Sequence, residues 1–193
     1  MDEYSAARRL AENFVDYQPR TSAEVRRRLT RADFGEDIVE RVVSELESAG
    51  LIDDARFSEQ WVESRARGKK LGAARLAAEL RTKGISKEQT ESALEQLDPE
   101  SELQNALALA RKRLGLTDDG RRMTDSDDRP PTTGDGSHES RSTQHSPGSV
   151  IRHPSSVNPD PDTKRRLAAY LQRRGYNWEI VQQVFAELFQ NSD

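Results

Sequence analysis

ARLAAELRTKGISKEQTESALEQL, residues 74–97, reads as two short helices joined by a tight turn. Leu76 and Leu80 stand four residues apart, the spacing of one helical face. Gly84 falls where the first helix should stop, because glycine enters the left-handed, helix-ending conformation without steric cost. Ile85 then plugs the corner between the helices. Ser86 and Gln89 form a capping box that opens the second helix. That helix carries a weaker apolar stripe of Gln89, Ala93 and Leu97.

Two other windows align with this one without gaps, residues 23–46 and residues 165–188. Val25, Leu76 and Leu167 correspond, and so do Leu29, Leu80 and Leu171. Asp33, Gly84 and Gly175 mark the three helix ends, since Asp tolerates the left-handed conformation better than most residues. Phe34, Ile85 and Tyr176 follow as corner plugs, then Gly35, Ser86 and Asn177 as N-caps. The second helix presents Ile38, Val42 and Leu46 in the first window and Ile180, Val184 and Leu188 in the third. The spacing therefore predicts one helix–turn–helix unit written three times.

A further helix precedes each pair. The first runs from about Tyr4 to Tyr17 with Ala7, Leu10 and Phe14 in register, and Thr21 with Glu24 boxes the next helix. The second opens at Asp53, after the corner Gly50-Leu51-Ile52, and carries Phe57, Trp61 and Val62. The third opens at Asp98-Pro99, an acidic cap followed by proline at the first helical position, and carries Leu103, Leu107, Ala110 and Leu114. The expected fold is all-α, nine helices in three tandem three-helix repeats stacked as an elongated array. The repeats span residues 1–50, residues 51–98, and residues 99–115 with 164–189.

Val25 to Leu76 is 51 residues, whereas Leu76 to Leu167 is 91, so an insertion of about 40 residues interrupts the third repeat. Residues 116–163 carry it. They hold 6 of the 8 Pro, 8 Ser, 6 Thr and all 3 His, but few apolar residues. Such a composition buries too little surface to offset chain entropy, and a disordered linker is expected there. His138, His145 and His153 lie within it and are not read as metal ligands.

The whole chain has 193 residues, with 30 Lys+Arg against 34 Asp+Glu, a formal net charge of −4. The linker accounts for all of it, with 9 acids and 5 bases, and the repeats balance at 25 of each. Arg supplies 24 of the 30 bases, which suits bidentate contacts to phosphate or carboxylate and equally reflects base composition of the coding DNA. The absence of Cys removes disulfides, thiolate metal sites and cysteine nucleophiles. No apolar run approaches the roughly 18–20 residues of a membrane span, and MDEYSAARRL lacks the apolar core of a signal peptide, so a cytoplasmic protein is expected. Neither a phosphate loop nor a Gly-rich dinucleotide turn is present, and no enzyme, cofactor or metal is expected.

Gly50-Leu51-Ile52-Asp53-Asp54-Ala55-Arg56-Phe57, followed by Trp61-Val62-Glu63-Ser64-Arg65, resembles the RecX family of recombinase regulators. Residues 75–85, RLAAELRTKGI, resemble the family's second repeat, and residues 165–176, RRLAAYLQRRGY, its third. The resemblance covers about residues 4–115 and 164–189. It implies tandem three-helix repeats and a protein that acts by binding. RecX-like proteins bind the RecA recombinase and its single-stranded-DNA filament, lie along the filament groove, and usually restrain RecA ATP hydrolysis and strand exchange in DNA repair and recombination. The long linker and the mild acidity set this chain apart from the family's usual pattern. A monomer is expected, without a membrane partner.

The richest basic stretch is Arg65, Arg67, Lys69, Lys70 and Arg75, with no acid between its ends. Gly68 and Gly72 within it suggest a positive loop that could meet DNA phosphates or an acidic protein surface. Arg81 with Lys83, and Arg173 with Arg174, recur just before the turn glycine, where they either complement the helix C-terminus or bind a partner. Arg26, Arg27 and Arg28 fan out around a helix. Asp53 is read as a cap and Asp54 as a first-turn carboxylate favoured by the dipole, with a contact to Arg56 or a partner as the alternative. Phe57 and Trp61 share a helix face, so core packing and an exposed anchor are both open for Trp61. Trp178 is either a local staple or a partly exposed contact. Two further readings stand beside filament binding: a helix–turn–helix protein that reads duplex DNA directly, and a generic helical-repeat scaffold.

Overall fold

The computed structural model describes residues 2–116 and 160–189. Among them there are nine α-helices and no strand: α1 (Glu3–Tyr17), α2 (Ser22–Thr30), α3 (Glu36–Ser48), α4 (Asp54–Lys69), α5 (Ala73–Lys83), α6 (Lys87–Glu95), α7 (Pro99–Leu114), α8 (Pro161–Arg173) and α9 (Trp178–Phe189). The caps read from the sequence are in place. Thr21 and Ser86 head complete capping boxes, and Asp53 and Asp98 accept the backbone N–H three residues on. Asn177 does the same for Ile180 at 2.8 Å. Each cap satisfies an N–H that the first turn leaves without a partner.

Three separate cores hold the helices in threes. Val25, Leu29, Val42 and Leu46 close the first, between α1, α2 and α3. Leu76, Leu80 and Ile85 centre the second, between α4, α5 and α6. Leu167, Leu171, Val181 and Val184 centre the third, which draws α7 from one side of residues 117–159 and α8 with α9 from the other. A buried leucine of this kind contributes about 1.5–3 kcal/mol by leaving water.

The units meet through helix ends. Thr21, the cap of α2, donates its hydroxyl to the carbonyl of Lys83 at the end of α5, 2.8 Å away. Lys83 Nζ lies 2.7 Å from Glu24 Oε1 across the same junction. The next junction repeats the pattern. Gly72, the cap of α5, donates its N–H to the carbonyl of Arg174 just beyond α8 (3.0 Å), and Ala74 donates to that of Gly175 (3.1 Å). Contact is so close that a Cβ at Gly84 would stand 2.3 Å from Ala23 Cβ, and one at Gly175 would stand 2.4 Å from the Arg75 nitrogen. Thus α8, α5 and α2 follow one another end to end, and each junction brings the negative end of one helix dipole to the positive end of the next. Unit one carries Asp33 at the equivalent turn, exposed and with φ 65°, where no further unit abuts among the described residues.

Three details depart from the sequence reading. Composition places residues 160–163 in the linker, but Asp160 caps α8 through the Thr163 N–H (2.9 Å) and Pro161 is its first residue. The same Asp-Pro start opens α7, and its signal is diluted here by the low-complexity composition around it. In α6 the buried positions are Thr90 and Ala93 rather than Gln89, Ala93 and Leu97, because Gln89 is turned back into the capping box and the helix ends at Glu95. The stretch expected to form a basic loop is largely helical. α4 continues through Gly68 to Lys69, leaving only residues 70–72 as connection. Residues 117–159 of the expected linker, with His138, His145 and His153, lie outside the described residues.

Candidate nucleic-acid and partner interface

Charge in the array is sorted by helix position. The end-to-end helices α2, α5 and α8 together carry ten basic residues and three acidic ones. The helices that follow them, α3, α6 and α9, carry two basic and ten acidic. The first helices, α1, α4 and α7, are nearly balanced. A body neutral overall therefore presents one basic row, whose exposed members include Arg27 and Arg28 on α2, Arg75 and Arg81 on α5, and Arg165, Arg166 and Arg173 on α8. Of the row's three acids, Glu24 is held by Lys83 at 2.7 Å, Glu79 lies 3.7 Å from Arg75, and Asp162 lies 3.4 Å from Arg165. Arg26 is turned away to Glu40, 2.8 Å distant. Positive charge concentrated on successive helices in this way raises the local concentration of polyanions and steers their approach.

A second feature runs along α4. Phe57, Trp61, Arg65 and Lys69 recur every four residues on one face. Phe57 and Trp61 stack with centroids 5.6 Å apart, and the Arg65 guanidinium lies 4.1 Å over the indole. Lys83 reaches the same ring at 4.9 Å. Behind it, Trp61 donates its indole N–H to Glu79 (3.2 Å), a carboxylate that also faces Arg65 at 3.9 Å. Trp61 is half-buried, so it serves the core of unit two and lines a surface groove at once.

The structure divides the basic candidates. Arg65, Arg75 and Lys83 gather around Trp61 and Glu79. Arg67 is exposed beside Glu63 at 2.8 Å, Lys69 is exposed at the end of α4, and Arg81 and Arg173 are exposed on the basic row. Lys70 belongs to the second junction: it is left-handed at φ 51°, its Nζ donates to Asn105 (3.2 Å), and its carbonyl accepts the Tyr176 hydroxyl (2.9 Å). Arg174 is there too, half-buried over Tyr170 at 5.9 Å. Asp53 caps α4, whereas Asp54 is a latch between units, accepting from the N–H and hydroxyl of Ser22 at 2.9 and 2.7 Å. Trp178 is largely exposed in the first turn of α9. Reading along the chain misses Arg27, Arg28, Arg165 and Arg166 as parts of one row. Summing charge by repeat position finds them.

Tandem three-helix units, joined through helix ends and carrying their basic excess on the end-to-end helices, define a helical-repeat protein. Models of the three successive three-helix domains of RecX match residues 7–46, 53–94 and 152–185. A regulatory protein RecX from Mycobacterium sp. (strain KMS) is 36% identical over 165 residues, 86% of this chain and 72% of that protein. One from Amycolatopsis mediterranei is 40% identical over 114 residues, 59% of this chain and 65% of its own length. That second alignment thus takes in slightly under two thirds of the relative. The crystal structure of RecX from Lactobacillus salivarius shares the fold, with a TM-score of 0.70 at 19% identity over 96% of each chain. The chain belongs to the RecX family of regulatory proteins. Among the described residues no helix is long and apolar enough to cross a membrane.

Proposed function

We propose that this chain is a cytoplasmic, monomeric regulator of the RecA recombinase. It binds RecA and its filament on single-stranded DNA, lays its three units along that filament, and restrains RecA ATP hydrolysis and strand exchange during DNA repair and recombination. It acts by binding alone, and ATP hydrolysis belongs to RecA.

The observation that carries this reading is the basic row of α2, α5 and α8 in a chain of the RecX family. A row spread over three units suits an extended, repetitive polyanion, such as a filament whose DNA phosphates and acidic protein patches recur along its length. The charge pattern opposes direct reading of duplex DNA. In such a protein the second helix of each pair enters the major groove, and here those helices, α3, α6 and α9, are the acidic ones.

Co-sedimentation with RecA filaments assembled on single-stranded DNA tests it. The chain should pellet with filaments and be released as salt rises, because screening and the smaller gain from counterion release weaken phosphate contacts. A chain that stays in the supernatant at low salt would overturn the proposal.

A further inference from the structure

Gly68 has no structural reason to be glycine. It sits inside α4, where glycine is less stable than alanine, and a Cβ there would meet nothing within 4 Å. Every other described glycine has either a positive φ or a close neighbour that a side chain would strike. The missing side chain instead keeps open a groove of about 550 Å³ along α4. Ser64, four residues earlier on the same row, is also small, and Gln60 stands four before that. One wall is the ladder of Phe57, Trp61, Arg65 and Lys69, and the other is Gln18 with Pro19, from the connection between α1 and α2.

The chemistry of that groove is specific. Its long wall offers the Arg65 guanidinium, laid 4.1 Å over the Trp61 indole, and a planar base can stack on that guanidinium from the groove side. Its floor offers the amide of Gln60 and the hydroxyl of Ser64, and its far wall the amide of Gln18, to polar base edges. At its end Lys69 is exposed and makes no ion pair among the described residues. Volume, mixed polar and aromatic lining, and an exposed ammonium at one end match a nucleotide unit. We infer that the α4 groove seats an unpaired nucleobase of single-stranded DNA against the Arg65–Trp61 pair, with Lys69 meeting a flanking phosphate. This rests on the filament-binding function proposed above and names the part of the filament that the second unit reads.

The test uses the full chain carrying Trp178→Phe, which leaves Trp61 as the one tryptophan of the two in the sequence. Its emission is followed while a 15-nucleotide oligodeoxythymidylate, or an abasic strand of the same length, is titrated in. The expected result is a change in Trp61 emission with the thymidylate and affinity about tenfold tighter than for the abasic strand. Gly68→Leu, which fills the floor, should abolish that preference with unchanged helicity by circular dichroism. Equal affinity for the two strands, binding without a change in Trp61 emission, or no binding of either strand would each overturn the inference. Inhibition of RecA ATP hydrolysis by the same Trp178→Phe protein is measured alongside. If inhibition persists without base preference, only the nucleobase seat falls. If inhibition is absent too, the regulatory function falls with it.

Discussion

Ser22, at the start of α2, donates its backbone N–H and its hydroxyl to the carboxylate of Asp54, at the start of α4, at 2.9 and 2.7 Å. Ser22 is buried and Asp54 half-buried, so removing the carboxylate strands two donors at the boundary between units one and two. Asp54→Ala should lower stability by about 1–3 kcal/mol, the cost of leaving buried partners of a charged acceptor unpaired. Urea unfolding measures it. An unchanged midpoint would mean that the two donors find other partners and that the latch is dispensable.

The turn residues of the three units should respond to substitution with opposite signs. Gly175→Ala places a methyl 2.4 Å from the Arg75 nitrogen, at a φ of 97°. Strain of about 1–2 kcal/mol and overpacking of about 1–3 kcal/mol then add. Asp33→Gly relieves the same backbone conformation at an exposed end where nothing abuts among the described residues, and should stabilise by up to about 1 kcal/mol. Thermal unfolding of the two variants decides. A Gly175→Ala protein as stable as the parent would contradict the close helix-end junction.

Charge removal on the basic row should weaken filament binding and flatten its salt dependence together. Arg165 and Arg166 are exposed on α8, and their joint replacement by Ala leaves the core of unit three untouched. Each phosphate that is no longer neutralised lowers the slope of log K against log salt by about 0.7 for a single strand. The salt series for parent and variant gives the count. Parallel lines would show that these two arginines meet no phosphate.

Tyr176 is buried, and its hydroxyl donates to the Lys70 carbonyl at 2.9 Å. Burial, then the nearby charge of Glu102, push its pKa well above the ordinary tyrosine value. A raised folded-state pKa means that stability is complete below the unfolded value of about 10 and is lost as pH rises beyond it, because only the unfolded chain then releases the proton readily. Tyr176→Phe should cost about 1 kcal/mol near neutral pH by removing the hydrogen bond. The gap between parent and variant should shrink above about pH 10. A gap constant through pH 11 would contradict that linkage.

What was legible in the sequence was local. Leu76 and Leu80, Gly84 and the Ser86–Gln89 box lie within fourteen residues of one another, so period, stop signal and cap could be read from a single window. What was not legible depended on distant units. Asp54 looks like an ordinary first-turn acid until Ser22, 32 residues earlier, is folded against it. Lys70 looks like a free base in a basic run until Tyr176 closes on its carbonyl from unit three. Gly68 suggests a break, yet the helix passes through it, since flanking contacts outweigh the modest penalty of one glycine. The charge sorting was present in the sequence throughout. It emerges only when residues are grouped by helix position instead of by distance along the chain.

The most direct test of filament restraint is RecA ATP hydrolysis dependent on single-stranded DNA, followed as the full chain is titrated in. Docking of three units along the filament predicts inhibition well below one copy per RecA, because one bound chain affects several protomers. Hydrolysis unchanged by excess chain, under conditions where filaments form, would contradict it.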